Sequence, residues 1–155
     1  MSARVGIGYD SHRFAAGRRL VLGGVEIEHE AGLEGHSDAD VLTHAVIDAV
    51  LGAAGLGDLG AHFPPDDDRW RDADSLDLLR IALGLLSGPV VKVDATVICE
   101  APLLGPHRAQ MEANLAETLG APVSVKATSN EGMGFVGRGE GIACIAVALV
   151  ATDGQ

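Results

Sequence analysis

A chain of 155 residues with a net charge of −11 and only two lysines, Lys92 and Lys126, is poorly suited to grip nucleic acid or an anionic membrane. Its length fits one domain, residues 1–155, and with 47% apolar but 3% aromatic residues the core must be built from Ala, Val, Leu and Ile. No run reaches the roughly 20 apolar residues of a membrane helix, and Met1-Ser2-Ala3-Arg4-Val5 reads as a strand, not a leader, so a cytoplasmic protein is expected.

Residues 4–14 begin with β-branched side chains in imperfect alternation and are expected as the first strand. Leu20-Val21-Leu22-Gly23-Gly24-Val25-Glu26-Ile27-Glu28 reads as a hairpin whose glycines supply positive φ at the turn. From Asp38 the apolar spacing becomes helical through Ala54, with Ser37 or Asp38 as cap and Gly55 or Gly57 as stop. A polar, aspartate-rich loop covers 64–74. A second helix is expected over 74–83, before Gly88-Pro89. A strand over 90–101, a helix over 103–119 entered through Gly105-Pro106, and strands over 123–129 and 141–151 complete the order. That order predicts an α+β fold, a two-layer sandwich of one mixed β-sheet with helices packed on one face. The last strand is apolar on both alternating faces and needs cover on both sides, which points to a subunit interface. Cys99 and Cys144 sit in apolar, strand-like runs without CxxC spacing and are expected as buried free thiols.

Three clusters carry chemistry. In Asp10-Ser11-His12, residues two apart on a strand share a face, so Asp10 and His12 can reach one ion while Ser11 turns away. Alone, the pair fits a solvated strand end equally well. Asp40, His44 and Asp48 are four apart and line one face of an otherwise apolar helix. A histidine there can be a satisfied core residue. Between two carboxylates it can also be a metal ligand whose second ring nitrogen donates to an acidic partner. Asp10, His12 and His44 together would offer two nitrogens and one oxygen with a position left open, the pattern of a catalytic Zn²⁺. In residues 126–141, glycines surround Glu131 and Arg138. Their backbone N–H groups can cradle phosphate oxygens, although a plain turn between strands has the same composition. Glu131 among such amides calls for a cation such as Mg²⁺ beside the phosphate, and the shortage of basic side chains points the same way. The acidic loop after Gly57 can meet a polyol or simply face water.

The motifs Gly8-Tyr9-Asp10-Ser11-His12-Arg13-Phe14, His36-Ser37-Asp38-Ala39-Asp40, Gly57-Asp58-Leu59-Gly60 with Phe63-Pro64, and Gly134-Phe135-Val136-Gly137-Arg138-Gly139-Glu140-Gly141-Ile142-Ala143 run in order over nearly the whole chain. They resemble the methylerythritol cyclodiphosphate synthase family, and the last motif is highly specific. The resemblance implies that Asp10, His12 and His44 bind zinc, and that Glu131 holds a second ion, Mg²⁺ or Mn²⁺, at the α- and β-phosphates. It places His36 and Ser37 beside the methylerythritol phosphate, Asp58 and Gly60 at the polyol, and Phe63 and Asp67 in the same substrate loop. It assigns Ala101, Pro102, Leu103, Leu104 and Gly105, with Ala127, Thr128 and Ser129, to the cytidine diphosphate pocket, and makes His36 and Ser129 the catalytic pair. Phe135 and Arg138 would contact substrate and face the centre of a homotrimer, around a cavity suited to an isoprenoid-like ligand, with active sites between subunits. Leu103 stands where many members carry lysine, and Ser129 replaces a common threonine while keeping the hydroxyl.

The implied activity is the conversion of 4-diphosphocytidyl-2-C-methyl-D-erythritol 2-phosphate to the 2,4-cyclodiphosphate and CMP, in non-mevalonate isoprenoid synthesis. Two other classes use the same groups. A zinc-dependent phosphoester hydrolase would activate water at the open position, and a non-catalytic trimer would only bind nucleotide.

Overall fold

The computed structural model describes residues 2–152. In chain order the elements are β1 (Ser2–Ala16), β2 (Leu20–Leu22), β3 (Val25–Ile27), β4 (Ala31–Leu33), α1 (Val41–Ala54) and the single-turn α2 (Leu59–His62). A 3₁₀ turn (Asp68–Trp70), α3 (Ser75–Leu83), β5 (Val90–Ile98) and a second 3₁₀ turn (Gly105–His107) follow. Last come α4 (Arg108–Leu119), β6 (Val123–Thr128), the short α5 (Gly134–Gly137) and β7 (Gly141–Thr152). The five-stranded sheet runs β4-β1-β7-β5-β6 and is mixed: β7 is antiparallel to β1 and β5, while β5 and β6 are parallel.

The expected α+β architecture holds, with differences at element ends. The helix expected from 103 starts as a 3₁₀ turn at Gly105 and becomes α-helical only at Arg108, because Pro106 lacks the N–H that a longer helix would use. The strand expected to 101 stops at Ile98, short of Pro102, which cannot donate to a ladder. Helix α1 is capped by Asp40, not Ser37 or Asp38, its carboxylate accepting from the Thr43 N–H. The same carboxylate accepts from the N–H groups of Gly23 and Gly24, both at 2.9 Å. Those glycines take φ of 57° and 71° at the β2–β3 turn, so the hairpin donates its turn amides to the helix cap. Gly55, in the left-handed conformation, ends the helix as expected.

Helix α1 lies on β1 and β7. Its floor is made of small residues: Gly6 pairs across the strands with Ala148, and Gly8 with Ala146. A Cβ on Gly8 would lie 1.9 Å from the Ala45 carbonyl oxygen, and one on Gly6 would lie 2.0 Å from that of Ala49. The helix therefore seats closer to the sheet than any side chain on those two positions would permit. Leu42, Ile47 and Leu51 of α1 pack with Leu79, Met111 and Leu115 of α3 and α4 into one core, each fully buried apolar side chain stabilising by about 1.5–3 kcal/mol. The opposite face of the sheet has no such cover among the described residues. Val5, Ile7 and Tyr9 of β1 are 69%, 70% and 53% exposed, beside Leu149, Val147 and Ile145 of β7. Both cysteines are free and buried; burial, and then the Glu100 charge, push the Cys99 thiol up to about 11, so neither is a ready thiolate.

Candidate functional site

Close seating of α1 brings His44 to Asp10 and His12, which share a face inside β1 and not at the strand end expected, since β1 runs on to Ala16. His12 Nε2 lies 2.8 Å from Asp10 Oδ2 and 3.2 Å from His44 Nδ1, and that His44 nitrogen lies 3.2 Å from the same Asp10 oxygen. The three side chains are positioned to bind a metal ion. The expected triad is thus assembled.

The tautomers are set from behind. His12 Nδ1–H donates to the Glu34 carbonyl at 2.7 Å, leaving Nε2 for the cluster. His44 Nε2 faces the Ser75 hydroxyl at 2.8 Å and the Ser37 hydroxyl at 3.1 Å, leaving Nδ1 for the cluster. The sequence expectation of an acidic partner for His44 is corrected here. The Asp40 carboxylate is fully engaged by the hairpin amides and by the Thr43 N–H and hydroxyl. Asp48 accepts from the Leu59 N–H at 2.7 Å, and its carboxyl is pushed up by burial. Helical spacing put three side chains in a line, but their partners come from other elements.

Burial disfavours charge on Asp10, yet the hydrogen bonds and charges of His12 and His44 outweigh it and hold its pKa at about 2. Burial likewise opposes protonation of His12, and the bond to Asp10 outweighs it, so its pKa is raised. With Nδ1 held by Glu34, the titrating proton sits on Nε2, where an ion would bind. Proton and ion compete. Metal affinity is therefore expected to rise with pH above 6.5, the ordinary histidine value, with release of up to about one proton per ion. Calorimetry in two buffers of different ionisation enthalpy measures this, and a flat affinity profile would contradict it. In the metal-free protein the pair acts oppositely: stability from His12 is complete below 6.5 and lost as pH rises through its raised pKa. That from Asp10 is complete above 3.8 and lost as pH falls toward 2.

These groups form one end of a cavity of about 300 Å³, at the small end of ligand sites. Its walls include His36, Ser37, Asp58, Gly60 and Phe63, all expected from the sequence, together with Asp48, Leu59, Pro65, Trp70 and Leu78. His36 Nε2–H donates to the Asp67 carbonyl at 2.9 Å, and Asp58 caps α2 through the Ala61 N–H. The Asp67 carboxylate is held by Arg69 and does not line the cavity. Trp70, edge-on to Phe63 with ring centroids 5.0 Å apart, forms a wall that no sequence pattern signalled. Ser75 was also missed: it is 31 positions from His44, and only the packing of α3 on α1 joins them.

The remaining expected residues gather elsewhere. Residues 101–105 and 127–129, with Glu131, lie at the carboxyl ends of the parallel strands β5 and β6, where ligands of α/β units commonly bind. Pairing of Ser11 with Ala143, Ala143 with Ile98, and Ile98 with Thr128 puts both groups at the same level of the sheet. Three strand spacings, roughly 14 Å, separate the outer members of that row. Glu131 is exposed with φ 54°, and Leu103 is 85% exposed. Glu131 and Arg138 lie among the glycines of residues 126–141. Both face solvent, where Arg138 pairs with Glu140 at 2.8 Å. Phe135 lies beside Ser11, His12 and Arg13 in a separate shallow pocket.

A profile of the YgbB family matches residues 3–151. The 2-C-methyl-D-erythritol 2,4-cyclodiphosphate synthase of Symbiobacterium thermophilum is 58% identical over 153 residues, covering 95% of this chain and 98% of that one. A solved 2C-methyl-D-erythritol-2,4-cyclodiphosphate synthase in its CDP-bound form superimposes with a TM-score of 0.87 at 34% identity, covering 96% of this chain and 100% of that one. The bifunctional IspDF of Campylobacter jejuni gives 0.91 at 38% identity over 98% of this chain, which spans 43% of that longer protein.

Proposed function

This chain belongs to the YgbB family, and from that premise we propose that it is a 2-C-methyl-D-erythritol 2,4-cyclodiphosphate synthase. It converts 4-diphosphocytidyl-2-C-methyl-D-erythritol 2-phosphate to the cyclic diphosphate and CMP. An oxygen of the 2-phosphate forms a bond to the β-phosphorus as the bond from that phosphorus to the CMP oxygen breaks. No water is consumed. The observation that carries this reading is the convergence of Asp10, His12 and His44 at the end of a cavity walled by His36, Ser37 and Asp58.

Two imidazole nitrogens and one carboxylate oxygen, with lone pairs converging, suit Zn²⁺ better than Mg²⁺ or Ca²⁺. Such an ion supplies Lewis-acid neutralisation of phosphate oxygens when bound. Glu131 is the ligand proposed for a second ion, Mg²⁺ or Mn²⁺. The chain's own groups provide position. His36, fixed through Nε2 on the Asp67 carbonyl, walls the cavity beside the phosphate, and the Ser37 hydroxyl, which accepts from the Ala39 N–H, can donate its proton to that group. Asp48 holds the Leu59 amide, and with it the loop carrying Asp58 and Gly60, against the polyol. The residues at 101–105 and 127–129 hold the cytidine diphosphate, with Ser129 beside the reacting phosphates, and Phe135 and Arg138 lie at the subunit boundary.

A cavity of about 300 Å³ is small for the whole substrate, and residues 101–105 and 127–129, proposed for the nucleotide, lie across the sheet. Both facts support a homotrimer in which one copy's metal cavity meets its neighbour's nucleotide pocket. The uncovered Val5, Ile7, Tyr9, Ile145, Val147 and Leu149 face supports it as well. An apolar central cavity there would accept an isoprenoid-like ligand. No helix among the described residues is long and apolar enough to cross a membrane, and the free thiols support a cytoplasmic location.

Phosphorus NMR of a turnover mixture tests the reaction. The expected result is a cyclic diphosphate and CMP in equal amounts. A linear phosphate would mean hydrolysis, and tight binding without product would mean a binding protein.

A further inference from the structure

We propose that Ser75 and Asp38 form a positioning relay that fixes His44 as the tautomer able to ligate a metal, which makes the N-terminus of α3 a part of the metal site. The inference rests on reading Asp10, His12 and His44 as a divalent-metal site. Ser75 is the first residue of α3, fully buried, and lies 31 positions from His44. Its hydroxyl donates to Asp38 Oδ1, while its backbone N–H donates to Asp38 Oδ2 at 2.9 Å. Asp38 Oδ1 also accepts from the Asp40 N–H at 3.1 Å, so the carboxylate is held from two sides.

A serine hydroxyl has one proton. A carboxylate is the stronger acceptor, since a charge-assisted bond is roughly twice as strong as a neutral one, so that proton goes to Asp38. The Ser75 oxygen can then only accept from His44 Nε2, 2.8 Å away. Nε2 must carry hydrogen, and Nδ1 is left with a lone pair directed at Asp10 and His12. The chain carboxylate–hydroxyl–imidazole does for His44 what the Glu34 carbonyl does for His12. Ser37 cannot do this alone. Its hydroxyl is 3.1 Å from Nε2 and has no carboxylate behind it, so its proton is free to turn toward His44 and favour the wrong tautomer.

The test uses the full-length protein and the variants Ser75→Ala and Asp38→Asn. Imidazole ¹⁵N NMR of the metal-free proteins reads the tautomer, and competition with a chromophoric chelator reads zinc affinity. His44 is expected to be protonated on Nε2 in the parent and to shift toward the Nδ1–H form in Ser75→Ala. Zinc binding should weaken about 10- to 100-fold in Ser75→Ala and in the same direction in Asp38→Asn, which leaves the Ser75 side chain intact. An unchanged tautomer with zinc affinity within about twofold of the parent overturns the relay, even if melting temperature falls, because that pattern marks a purely structural serine. Failure of the parent itself to bind zinc would instead remove the metal-site reading, while the ¹⁵N signals would still decide the relay.

Discussion

His44→Ala is expected to abolish retention of the metal and to lower turnover by about a thousandfold or more, equivalent to ~4 kcal/mol of transition-state stabilisation. Two reasons make the effect large. Only Asp10 and His12 would remain of the three converging donors, and two ligands leave a Zn²⁺ ion mostly in the hands of water. The chain has few cations with which to compensate, since the lysines lie at positions 92 and 126, bonded to Ser124 and Asp94 respectively. The variant should still fold. Alanine is the best helix former, the rest of α1 keeps its apolar packing, and the hydrogen bonds lost to Ser37 and Ser75 cost about 1–2 kcal/mol. Elemental analysis after gel filtration, paired with phosphorus NMR, reads both outcomes. A metal-free His44→Ala protein with parental activity would end the assignment of this site.

Gly8→Ala is expected to damage both stability and metal binding, although the side chain added is a single methyl group. The new Cβ would meet the Ala45 carbonyl oxygen at 1.9 Å and the Ala49 nitrogen at 2.8 Å. Those are backbone atoms of a helix and cannot rotate away, so α1 must lift or slide. Overpacking of this kind costs about 3 kcal/mol, and for a chain of this length each kcal/mol lowers the melting temperature by roughly 2–4 °C. His44 precedes Ala45 on the same helix, so the lift carries its imidazole from Asp10, and zinc affinity should fall together with stability. Gly52→Ala provides the contrast. There a Cβ makes only ordinary contact, 3.7 Å from the Ile7 carbonyl oxygen, and the change should stabilise the helix by about 1 kcal/mol. Thermal melts and chelator competition on both variants check the pair. Equal melting temperatures would show that α1 does not depend on close seating at Gly8.

Local signals account for most of the fold that was legible. The two glycines of the β2–β3 turn, the helical spacing of α1, the Gly55 stop and the unbroken apolar run of β7 each reflect interactions within a few residues. Element ends were less legible where a side chain had a distant use. Ser37 and Asp38 resemble caps in sequence, but their oxygens serve His44 and α3, and Ala39 takes a φ of 57° just after them, so the cap falls to Asp40.

By itself, then, the sequence determined which side chains could meet around a metal ion. Two ligands two apart on a strand and a third on a helix follow from side-chain period and residue type, and the family motifs identify the cavity walls His36, Ser37, Asp58 and Gly60. Only the tertiary structure decided how they act. Closeness of His44 to Asp10 depends on the missing side chains of Gly6 and Gly8, the partners behind the two imidazoles are the Glu34 carbonyl and the Ser75 hydroxyl, and the strand order puts β7 between β1 and the β5–β6 pair that carries residues 101–105 and 127–129. The physical reason is common to all three: hydrogen bonds and close packing join atoms that are near in space, and spacing along the chain carries no record of which distant backbone or hydroxyl will arrive.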